Sequence, residues 1–201
     1  MVTQEPVWKY SKRADGRIAV TLDNNVWNFL FCRKLDLATE LPAVEFAIFI
    51  TREVEIEWRA TPVDNAFRAA LTDYIARTIA TCGIQTTSVF GFASGGPGPQ
   101  RLGGFDQGTW QSQTEREFYN AIRERFLLGK SPTNSQLTKN EGDAAVAAQS
   151  FSSIALTCER PHKPGPLRFA AERGGKVLYL KNFDQSGMNL GSYITTFYLQ
   201  I

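Results

Sequence analysis

Four short apolar runs recur along the chain, at 17–22 (RIAVTL), 46–50 (FAIFI), 154–157 (IALT) and 176–180 (KVLYL). Each reads as a buried strand, and segments of helical spacing lie between them. Residues 25–31 begin a helix, with Asp23 or Asn24 as its cap. Thr51 stands at the N-cap position ahead of REVEIEW. Over 64–80 the apolar side chains Phe67, Leu71, Tyr74, Ile75 and Ile79 fall on one helical face, and Gly83 is placed to end that helix. Residues 114–128 form a charged amphipathic helix, 142–150 (GDAAVAAQS) a helix of small residues, and 166–173 a short helix. Strands alternating with helices predict an α/β fold, a three-layer α/β/α arrangement around a mostly parallel sheet covered on both faces.

The remaining segments read as additions to one domain spanning 1–201. Residues 1–16 are a polar N-terminal extension, and 131–139 are a polar loop. Glycine and proline dominate 88–111, which reads as an inserted loop or lid. Residues 181–201 are a C-terminal extension, within which 193–201 alternates weakly and reads as an edge strand.

Composition excludes several classes of function. The formal net charge is +2, so nothing global calls for nucleic acid or an anionic membrane. Cys32, Cys82 and Cys158 are far apart and odd in number, which argues against a disulfide framework. One histidine, His162, cannot build a zinc site of the usual kind. No apolar run approaches the roughly 18 residues of a membrane span, and the N-terminus lacks an apolar signal core. The default is a protein of the reducing cytoplasm, away from membranes. The Gly-rich segment carries no GxGxxG between a strand and a helix. Gly129-Lys130-Ser131 fails as a phosphate loop because Glu124 stands where the first glycine is required.

In a doubly covered parallel sheet, chemistry gathers at the carboxyl ends of the strands. Asp23 closes the first strand and Glu159 lies two residues past the third. Glu57 sits on the helix after the second strand, and Asp143 opens the small-residue helix, whose alanines permit close packing on the sheet. If these four acids meet at one edge, their repulsion demands raised pKa values or a compensating cation. Hard divalent ions take oxygen ligands and need neither His nor Cys. Each acid also has a plainer reading: Asp23 as an N-cap, Asp143 as a first-turn acid, Glu57 as part of a solvated face with Glu53 and Glu55, and Glu159 as a partner of Arg160.

Four motifs in order resemble the PIN-domain nucleases. LDNNVW is similar to the opening strand, Asp and polar residue of that family, and FITREVEIE to its strand, Ser/Thr and helical Glu. NEGDAAVAAQS is similar to its Asp at the start of a helix, and IALTCE to its final strand, Thr and acid. The resemblance spans about 17–180 and implies a single PIN-like domain. It implies a ribonuclease dependent on Mg²⁺ or Mn²⁺, with Asp23, Glu57, Asp143 and Glu159 as metal-binding acids. Asn24 or Asn25, with Thr157, would be polar supports. Water would attack the phosphodiester in line, leaving a 3′-hydroxyl and a 5′-phosphate, and Arg52, Arg59, Arg160, Lys163 and Arg168 are the candidates to hold the RNA backbone. The family also implies a homodimer and, for its small bacterial members, a toxin paired with an antitoxin protein. Two departures stand out: Glu159 occupies a position that is usually Asp, and the chain is longer than the small toxins. A shifted helix start would favour Glu55 over Glu57. The alternative of a different class is a non-catalytic PIN-like module that holds RNA or a protein.

Overall fold

A computed structural model describes residues 8–87, 89–90, 102–103, 112–127 and 137–201. The first half of the chain forms β1 (Ile18–Leu22), α1 (Asn24–Cys32), α2 (Leu37–Glu40), β2 (Phe46–Thr51), α3 (Arg52–Ala60), α4 (Ala66–Cys82) and β3 (Gln85–Thr87). Two short strands follow, β4 (Val89–Phe90) and β5 (Leu102–Gly103), then α5 (Gln113–Phe126) and α6 (Glu141–Gln149). The chain ends with β6 (Ile154–Thr157), α7 (Pro166–Ala171), β7 (Val177–Tyr179), α8 (Phe183–Ser186) and α9 (Leu190–Tyr198).

Five strands build one all-parallel sheet in the order β3-β2-β1-β6-β7, flanked by helices. This is the three-layer α/β/α class that the alternating pattern predicts. β1 lies at the centre, with Val20 opposite Ile48 on one side and Ile154 on the other. Every residue of β1, β2 and β6 is buried, because helices cover both faces and leave no wet side to alternate toward. Val26, Trp27 and Leu30 of α1 and Val146 and Ala147 of α6 fill the same core.

Local chemistry sets the element ends. Asp23 caps α1 and Thr51 caps α3, its Oγ1 accepting the Val54 N–H at 3.3 Å. Gly83 adopts φ +58 after α4, a left-handed turn that glycine enters without steric penalty. That turn delivers β3, a strand the apolar pattern does not reveal because QTT is polar and lies at the sheet edge. Part of the N-terminal extension is docked rather than loose. Trp8 meets Phe118 edge-on at 5.2 Å and donates its backbone N–H to the Arg173 carbonyl at 3.1 Å. Within 88–111, β4 and β5 pair in parallel as a separate two-stranded sheet. The rest of that segment, residues 1–7 and most of the expected 131–139 loop lie outside the described residues. Among the described residues no helix is long and apolar enough to cross a membrane.

The expected edge strand over 193–201 is corrected. This segment is α9, opened by Asn189, whose side chain accepts the Ser192 N–H at 2.8 Å. Its β-branched and aromatic residues imitate a strand, but Leu190 and Ile194 recur at helical spacing and both are fully buried. The helical arrangement makes a sharp distinction. Ile194→Ala should destabilise by about 2–5 kcal/mol, whereas Leu199→Ala, at a side chain 78% exposed, should stay within about 0.5 kcal/mol of the parent. Urea denaturation midpoints of the two variants check this.

Candidate functional site

β1 and β6 are neighbours at the middle of the sheet, yet β2 and β3 extend it to one side and β7 to the other. Such a reversal opens a crevice beyond the carboxyl ends of the two central strands. Asp23 follows β1 directly, and Glu159 lies two residues beyond β6. α3 begins at the residue after β2 and carries Glu57, while Asp143 lies in the first turn of α6.

Asp23 is 3% exposed and held on several sides. Its Oδ1 accepts the Asn24 backbone N–H at 2.7 Å. Its Oδ2 accepts from Asn25 Nδ2 at 2.5 Å and from Thr157 Oγ1 at 2.7 Å. Thr157 Oγ1 also accepts the Glu159 N–H at 3.1 Å, and Asn25 Oδ1 accepts the Cys158 N–H at 2.8 Å. Both expected supports are therefore in contact with Asp23. Asn25 uses its side chain there, whereas the Asn24 side chain hydrogen-bonds Glu57.

The acids feel one another. Burial pushes Asp23 up to about 6, and the charge of Glu159 adds to this against the hydrogen bonds from Thr157, Asn24 and Asn25. Burial raises Glu57 to about 7, helped by the charges of Asp23 and Glu141 and opposed by the Asn24 hydrogen bond. Asp143 is also raised to about 7, by burial first and then by Asp23 and Glu159, with Lys163 opposing and Glu57 adding. Carboxyl groups from four distant segments thus influence one another's protonation.

Glu57 rather than Glu55 is the second acid of this group. Glu55 lies between Arg52 at 2.6 Å and Arg59 at 2.9 Å. Those two arginines both pair with Glu55. Arg168 pairs with Glu172 at 2.7 Å and donates to the His162 carbonyl at 3.2 Å, and Arg160 is exposed. Lys163 does reach the acids: its ammonium pairs with Glu159 and acts on Asp143 and Asp23.

Two residues were not singled out from the sequence. A Cβ on Gly142 would lie 2.7 Å from Glu57 Oε1, so the carboxyl of Glu57 rests against a bare Cα in the first turn of α6. A glycine in a helix otherwise rich in alanine loses helix propensity and so signals a packing reason. Glu141 is buried, accepts from Thr138 N and Oγ1 at 2.7 and 2.8 Å, and adds negative charge toward Glu57.

The donor set suits a hard divalent cation. Its groups are carboxylates, the bare Cα of Gly142 admits one of them close to the helix start, and repulsion among them calls for positive charge. Cys158 does not compete as a soft ligand, because burial and the nearby charge of Asp23 push its thiol up to about 11. Among the described residues no three acid, imidazole or thiol groups are already posed to hold an ion together. Glu159 is instead turned onto Lys163. The carboxylates therefore match such an ion in donor chemistry, while the described side chains are not gathered around one point.

Carboxyl groups whose pKa is raised by folding bind more protons folded than unfolded between their ordinary values and about 7. Their contribution is fully favourable below the unfolded pKa and is lost as pH rises through the folded one. Asp143→Asn should therefore raise the melting temperature of the metal-free protein at pH 8, by about 3 °C for each kcal/mol of repulsion relieved. Near pH 4 the two proteins should melt alike, and thermal scans at both pH values test this. No protein-family model matches the chain and no curated protein matches it, so its function is argued from these residues.

Proposed function

We propose that the chain is a divalent-cation-dependent ribonuclease with a PIN-like site, hydrolysing RNA phosphodiester bonds. One observation supports this reading: Asp23, Glu57, Asp143 and Glu159 come from four distant segments and lie within electrostatic reach of one another beyond the carboxyl ends of the central strands. One buried and three half-buried carboxyl groups that raise or repel one another in a crevice are a pattern that functional sites favour. When bound, Mg²⁺ or Mn²⁺ would activate water and neutralise charge on the scissile phosphate.

The chain's own residues divide the work. Asn25 and Thr157 orient Asp23 through Oδ2, and the Asn24 backbone fixes Oδ1. Gly142 lets Glu57 come close to the start of α6 beside Asp143. Lys163 supplies positive charge at the rim, where a phosphate oxygen would approach. The finer assignment, a toxin that pairs with an antitoxin and forms a homodimer, rests on the motif resemblance. A non-catalytic RNA-holding module is the second reading, favoured by the engagement of Glu159 with Lys163.

Cleavage of a mixed-sequence RNA with Mn²⁺ or with a chelator separates these. We expect Mn²⁺-dependent cutting that falls at least about 100-fold, some 3 kcal/mol of transition-state stabilisation, when Asp23→Asn and Asp143→Asn are combined. Equal cutting by that double variant sinks the assignment, and metal-independent RNA binding without cutting favours the holding module. Gly142→Ala gives a finer check. It should lose about tenfold in activity by displacing Glu57 while its melting temperature holds or rises, because alanine is favoured over glycine within a helix by about 1 kcal/mol.

A further inference from the structure

The acidic crevice already contains a cation of its own. Lys163 lies in the loop between β6 and α7, four residues beyond Glu159, and the two side chains form an ion pair. The lysine side chain is 54% exposed and that of Glu159 only 12%, so the ammonium reaches inward from solvent to a largely covered carboxylate. A turn supports this direction, the Lys163 N–H donating to the Arg160 carbonyl at 2.9 Å. The same ammonium, seated on Glu159, also acts electrostatically on Asp143 and Asp23. Lysine is a compact point charge on a four-carbon stem, which can leave a carboxylate without rearranging the backbone.

Resting on the nuclease reading, we propose that Lys163 is an internal counter-cation that a divalent ion must displace from Glu159. The ammonium and the metal would contend for the same carboxylate, and at close range their like charges repel. While the pair persists, Glu159 is withheld from the ion. The population of the pair lowers the apparent metal affinity, since only the fraction of molecules with Glu159 released is competent to bind. Displacement moves the lysine toward the outer rim, where its charge remains available to an anionic substrate.

Calorimetric titration of Mn²⁺ into metal-free protein tests this without relying on turnover. Lys163→Met keeps the length of the stem and removes the charge; it should bind Mn²⁺ about tenfold more tightly than the parent. Lys163→Arg keeps the charge and adds a fork that grips a carboxylate in two places, so it should bind Mn²⁺ no more tightly than the parent. Equal or weaker binding by Lys163→Met, with the parent binding normally, overturns the counter-cation role and leaves the nuclease reading standing. Tighter binding by Lys163→Arg also overturns it, because charge would then not be the cause. No Mn²⁺ binding by the parent or by Lys163→Met removes the nuclease reading and this inference together.

Discussion

The hydrogen bonds that join Asp23, Asn25 and Thr157 hold the two central strands together at the edge where the chemistry would occur. Thr157 and Asp23 are 134 positions apart, and the bond between them is 2.7 Å long. It ties the exit of β1 to the exit of β6, while Asn25 reaches from α1 to the Cys158 backbone just beyond. A buried carboxylate is tolerable only where such bonds satisfy it, each charge-assisted bond contributing about 1.5–3 kcal/mol. Removing one partner would leave a buried carboxylate oxygen unsatisfied, at a cost of about 1–3 kcal/mol or more. The same contacts therefore orient Asp23 and make it possible to bury it.

Around this anchor the structure accepts electrostatic tension. Burial and mutual repulsion raise Asp23, Glu57 and Asp143, so the metal-free fold is least comfortable where all would be ionised. A net charge of +2 for the whole chain conceals this negative crevice. Basic residues elsewhere are largely matched locally, as Arg52 and Arg59 are by Glu55. Lys163, half exposed and paired with Glu159, also bears on Asp143 and Asp23, so a near-neutral overall balance says little about the local field.

Much of this was legible in the residues themselves where the physics is local. Asp23 after an apolar run, Thr51 ahead of a charged helix and Gly83 behind one each act within a turn of chain, and each occupies the position its chemistry suggests. Where local signals conflict, packing arbitrates. β-branched and aromatic residues at 193–201 suit a strand, but burial of Leu190 and Ile194 on one face stabilises a helix instead. The polar β3 gave no apolar signal because an edge strand is held largely by backbone pairing to β2.

The sequence by itself determined the alternation of strand and helix, and hence a parallel α/β sheet with acids placed near its carboxyl edge. Those consequences follow from periodicity and caps, which act over a few residues. Only the tertiary structure decided that Glu57 and not Glu55 acts with Asp23 and that Gly142 makes room for it. These are choices of partner across the fold. They depend on which faces meet once the sheet order brings β1 and β6 together, and no spacing along the chain encodes that distance.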